Sequence, residues 1–154
     1  MEKFLTILYK LIDYQYFKFK YKIDLYFNGP FIKIHGDGEL NHGKNCYVSM
    51  YSRVFVDEGT AINLGNNVAI GHNCRIYTSI ADVSDFKNNS DKKNQKKGTI
   101  EIGNNVTFAA NCYVGPNVKI CDDVFIGHGS VVTKSIHTPG VYCGNPLECL
   151  KTFQ

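Results

Sequence analysis

The chain has 154 residues, room for a single compact domain, with 44% apolar residues, 20% charged residues and a net charge of +3. These values exclude a collagen, a long coiled coil and a disordered tail, and the charge is too small to point to nucleic acid. No stretch reaches the roughly 18 to 20 consecutive apolar residues of a membrane span.

Residues 1–28 are aromatic and basic. Phe4, Leu5, Leu8, Leu11 and Ile12 fall at helical spacing and predict one apolar helical stripe. Beyond Tyr14 the pattern turns to alternation, with Phe17, Phe19, Tyr21 and Ile23 set between Lys18, Lys20 and Lys22, which predicts a strand or a short irregular stretch. Two roles fit this segment: peripheral contact with an anionic membrane surface, or a cap packed on the open end of the main domain.

Residues 29–150 carry a six-residue period, read most clearly from Ile102. Ile102, Phe108, Val114, Ile120, Ile126 and Val132 are all apolar at steps of six. Four places further on in each hexad stand Val106, Cys112, Val118, Val124, Ser130 and Ile136, all small or aliphatic. The same frame holds earlier at Leu64, Ile70 and Ile76, with Val68, Cys74 and Ile80 in the second slot. Asn and Gly fill many of the places between, where turns accept positive φ. A period of six fits neither a helix nor a hairpin meander. It predicts an all-β solenoid of 18-residue coils stacked about 4.8 Å apart. Val48, Val54, Val56 and Ile62 continue the texture, with an offset near Asp57–Thr60 that leaves the register of residues 30–62 open.

Residues 82–98 lack the period and hold Lys87, Lys92, Lys93, Lys96 and Lys97 with Asp82, Asp85 and Asp91. They predict one long external loop. The six cysteines, Cys46, Cys74, Cys112, Cys121, Cys143 and Cys149, include no C-x-x-C pair and follow no recognisable secretory signal. They predict free thiols and a cytoplasmic location.

The run from Ile102 to Leu150, above all Gly127-His128-Gly129-Ser130-Val131-Val132-Thr133-Lys134 and the closing Gly144-Asn145-Pro146, resembles the hexapeptide-repeat acyltransferases. Within them it looks most like the maltose, galactoside and surface-polysaccharide O-acetyltransferases. The resemblance implies a left-handed parallel β-helix, a homotrimer, and acetyl-CoA as cosubstrate in clefts between subunits, with no metal. By position it implies that Ala110 and His128 border the pantetheine arm, and that Thr133 and Lys134 lie near the nucleotide end. His128 stands where the family usually has a small residue.

The resemblance also implies a base. O-acetyl transfer needs a hydroxyl to lose its proton, and a histidine suits that step. The family places it in a pattern of the type T-x-x-H, whereas this chain reads Thr78-Ser79-Ile80-Ala81. Three explanations stay open: a scaffold that has lost catalysis, a base relocated to another residue, or an engineered replacement. The relocated candidate is His72, which the hexad frame sets in one column with Ala110 and His128. Two rival functions are a non-catalytic binding protein and a zinc carbonic anhydrase, which would need three converging imidazoles. The acceptor expected by family analogy is a small molecule or glycan bearing a sugar hydroxyl, with no nucleic acid partner.

Overall fold

The computed structural model describes residues 2–82 and 94–153, leaving aside the side chains of residues 2–6 and 9–11. After helix α1 (Glu2–Tyr21) the chain winds in successive coils whose short strands stack into three parallel sheets, of six, five and four parallel strands. The first sheet holds β1 (Tyr26–Asn28), β4 (Tyr47–Ser49), β7 (Ala69–Ile70), β12 (Thr107–Phe108), β15 (Val124–Ile126) and β17 (Gly140–Cys143), closed by antiparallel β18 (Glu148–Thr152). The second holds β2 (Lys33–His35), β5 (Arg53–Phe55), β8 (Arg75–Tyr77), β13 (Tyr113–Val114) and β16 (Val131–Val132). The third holds β3 (Glu39–His42), β6 (Ala61–Leu64), β11 (Ile100–Ile102) and β14 (Lys119–Ile120).

The hexad columns are the core. Every apolar position named from Ile102 to Ile136 is buried, as are Leu64, Val68, Ile70, Cys74 and Ile76. Thr107 pairs with Phe125 and Tyr113 with Val131, both 18 residues on, as the hexad count requires. Asparagines hold the corners. Asn45, Asn67 and Asn105 stand in the left-handed region with φ of 55° to 57°, which asparagine enters at modest cost. Their amides join in a ladder along the axis, Asn45 to Asn67 at 3.1 Å, Asn67 to Asn105 at 2.8 Å and Asn105 to Asp123 at 2.9 Å.

The corner between the second and third sheets is the variable one. It takes four residues from Val114 to Val118, eight from Val54 to Ile62 and 24 from Ile76 to Ile100. The offset near Asp57–Thr60 is therefore four extra residues at this corner of the second coil. In the third coil the insertion leaves as an antiparallel hairpin of β9 (Ser79–Ala81) and β10 (Gln95–Lys97).

Several expectations need correction. Residues 95–97 are a strand within the expected loop 82–98. Ile80 points out of the coil at 38% exposure, because the chain turns away after buried Thr78. Lys87, Lys92, Lys93, Asp85 and Asp91 lie outside the described residues. The segment beyond Tyr14 continues the helix to Tyr21 instead of forming a strand. Its effective period is Tyr14, Phe17 and Tyr21, at helical spacing, and these pack on the first coil. Tyr14 and Phe17 stand with ring centroids 4.5 Å and 6.3 Å from Phe27. The Tyr14 hydroxyl donates to the Gly29 carbonyl, and that of Tyr21 to the Gly36 carbonyl at 2.7 Å. The solenoid also starts inside the expected cap of residues 1–28, since β1 pairs with β4. No helix among the described residues is long and apolar enough to cross a membrane.

Candidate active site

The corner between the first and second sheets is regular through the last three coils, and its register stacks His72, Ala110 and His128 in one column. Backbone bonds fix it: the Asn111 amide donates to the His72 carbonyl at 2.8 Å, and the Gly129 amide to the Ala110 carbonyl at 3.0 Å. Both imidazoles are exposed, and half-buried Ala110 stands between them in the column. Gly71 is obligatory beside it, because a Cβ there would meet the Phe108 carbonyl oxygen at 2.6 Å. Behind the corner runs the buried column Cys74, Cys112, Ser130. Each thiol donates to a carbonyl of the next coil, Cys74 to Ala109 and Cys112 to Gly127, both at 3.2 Å, and the neighbouring Cys74 and then burial push the Cys112 thiol up. All six cysteines are unbridged. The Gly144 amide closes the column by donating to Ser130 Oγ at 3.1 Å.

The other candidate residues occupy the opposite edge of the second sheet. Ala81 is exposed on β9, paired with Gln95. Thr133 and Lys134 follow β16 directly and are exposed, so the register sets Lys134 two coils above Thr78. One chain thus divides the candidates between two edges: His72, Ala110 and His128 on one, Ala81, Thr133 and Lys134 on the other. His72 and Ala81 belong to the same coil with strand β8 between them. Among the described residues, no group of three or more His, Cys, Asp or Glu side chains is placed to hold a metal.

The sequence did not disclose the clamp beneath Ala81. Asp57 Oδ2 lies 2.9 Å from Lys97 Nζ on β10, and its Oδ1 accepts the Glu58 amide at 2.8 Å. Buried Thr78 joins them, accepting the Asp57 amide at 2.8 Å and the Thr60 hydroxyl at 2.7 Å. Lys97, helped by Ser79 and the Glu58 amide, holds the Asp57 carboxyl below its ordinary range despite burial. Asp57 is therefore engaged with the hairpin; Glu58 is exposed.

Residues 99–134, spanning β11 to β16, match the family of bacterial transferase hexapeptide repeats (six repeats). This is a hexapeptide-repeat protein. Its coils form the left-handed parallel β-helix of that class, as in the hexapeptide-repeat acetyltransferase of Vibrio cholerae O1 biovar eltor solved with acetyl-CoA. That likeness has a TM-score of 0.69 at 15% identity, over 94% of this chain and 79% of the other. A galactoside acetyltransferase solved with coenzyme A is similar at 27% identity and TM-score 0.61, over 86% of this chain and 60% of that one. In sequence the hexapeptide-repeat protein is 30% identical over 126 residues to the UDP-3-O-acylglucosamine N-acyltransferase of Janthinobacterium sp. (strain Marseille). The match takes in 75% of this chain and 33% of that relative's length.

Proposed function

We propose that this chain is an acetyl-CoA-dependent acyltransferase acting on a sugar or surface-glycan acceptor, with each site completed between copies of a homotrimer. The observation that carries the reading is the column of His72, Ala110 and His128 at a regular corner, of which Ala110 and His128 lie in the family-matched coils. An extended pantetheine arm fits along such an edge, and Lys134 would meet phosphate at the nucleotide end as a point charge. The split of the candidate residues over two edges supports the homotrimer, because only a neighbouring copy brings one edge to the other. Unbridged thiols support a cytoplasmic site of action. The outward stripe Leu8, Ile12, Tyr16 and Phe19, with Phe19 at 85% exposure, supports contact with a membrane surface.

Ala81 sets the chemistry. Alanine accepts no proton, so a hydroxyl acceptor finds no base at that position. An amine acceptor is the second reading, favoured by this same residue: a neutral amine attacks the thioester with its own lone pair and needs no base to become nucleophilic. The test is acetyl-CoA turnover on sugars and amino sugars by the native chain and Ala81→His. For a hydroxyl acceptor Ala81→His is expected to be faster by about 10² to 10⁴. Equal turnover on hydroxyls by both forms would remove the base role from position 81 and move it to His72. Rapid turnover of amino sugars by the native chain, unchanged in Ala81→His, would establish the amine reading. Absence of acetyl-CoA binding would overturn both in favour of a scaffold.

A further inference from the structure

We infer that the outer face of the first three coils binds a phosphorylated small molecule of the nucleoside diphosphate type, with phosphate on Lys33, Arg53 and Arg75 and the base on Phe31 and Tyr51. The three cations are in register on neighbouring parallel strands, Lys33 opposite Arg53 and Arg53 opposite Arg75. Strands stand about 4.8 Å apart, so like charges meet directly, an arrangement that opposes folding unless an anion lies across them. Elsewhere the same geometry is neutralised: Glu101 and Lys119, opposite each other on β11 and β14, pair at 2.7 Å. Lys33, Arg53 and Arg75 form no ion pair among the described residues. With Phe31, Tyr51 and Asn73 they line an open groove of about 670 Å³ that contains no carboxylate. The uncompensated field reaches His35, whose imidazole is held below its ordinary range by burial, then by Arg53 and Lys33.

The aromatic rim is a second, independent observation. Its corner column runs Phe31, Tyr51, Asn73, Asn111, Gly129, with φ of 61°, 63°, 55°, 63° and 70°. Asparagine and glycine enter that left-handed region readily, whereas a bulky aromatic there is strained. Two successive coils accept the strain and set the rings 5.4 Å apart at 15°, each about half exposed. A stacked pair of this kind offers a planar face to a nucleobase, while two guanidiniums grip phosphate oxygens. Arg75 is already oriented, donating to the Tyr51 carbonyl at 3.1 Å. Asn73 adjoins His72, so the groove opens onto the candidate coenzyme edge. That link to acyl transfer rests on the proposed function; the binding itself does not.

The test is calorimetry on the full chain without coenzyme, using uridine diphosphate, inorganic pyrophosphate and uridine. Uridine diphosphate is expected to bind once per chain, with uridine at least tenfold weaker. Arg53→Gln should weaken both phosphorylated probes at least tenfold. Tyr51→Asn, which installs the residue its column holds elsewhere and so preserves the fold, should weaken uridine diphosphate and leave pyrophosphate unchanged. Failure of uridine diphosphate to bind, or binding indifferent to Arg53→Gln, would overturn the site. Displacement of uridine diphosphate by coenzyme A would also overturn it, by assigning the groove to the coenzyme. Loss of acetyl transfer with this binding intact would count against the proposed function alone.

Discussion

Asp57 ties the inserted hairpin to the coil through one carboxylate, and this makes the hairpin sensitive to acid. Its folded pKa lies below the ordinary value because Lys97 and its neighbours favour the ionised form. The stabilisation is therefore fully present above the unfolded value and is lost as pH falls through the folded one. Lys97→Met should move the Asp57 carboxyl back up, read by carbon-13 NMR titration. The urea stability difference between native chain and variant should shrink below about pH 4. None of this was legible in the sequence, since Asp57 and Lys97 are joined only by the hairpin register. The column of His72, Ala110 and His128 was legible, because the hexad frame before the insertion resumes after it and each frame fixes the place of its own residues at the corner. The triplet Lys33, Arg53 and Arg75 was hidden by coil steps of 20 and 22 residues, which no six-residue count reveals.

At the scale of elements, the strands from Ile102 onward could be read because each inward side chain recurs at one spacing. Ile126 is fully buried between Phe108 and strand β17. Ile126→Ala should cost about 2–5 kcal/mol, measured by denaturant unfolding, since stacked coils have little freedom to collapse around the cavity. Helix α1 shows the opposite lesson. Alternating Phe and Lys imitates a strand, and only packing decides between the two periods. Tyr14, Phe17 and Tyr21 turn toward the first coil, while Phe19 on the alternating pattern turns away. The helix thus carries apolar residues on two faces, one sealing the solenoid and the other open.

For the whole molecule, the division of candidate residues over two edges predicts complementation between chains. His128→Trp should block the edge that carries Ala110, and Lys134→Ala should weaken the other edge. Each variant alone is expected to bind acetyl-CoA poorly. Subunits mixed and reassembled should recover tight binding in roughly a quarter of the sites, the share that draws one intact edge from each kind of chain. No recovery in mixed trimers would mean that each site lies within one chain.

The unequal corner has a further consequence. Pairing across the inserted coil joins residues 38 apart, where the next coil joins residues 18 apart. Loop-closure entropy grows only with the logarithm of length, so this near doubling costs about 0.6 kcal/mol. The hairpin recovers part of even that by holding its own ends together. A corner so inexpensive to extend can change length and sequence while the opposite edge keeps its register. Selection can then vary what approaches Ala81 without disturbing the column at Ala110.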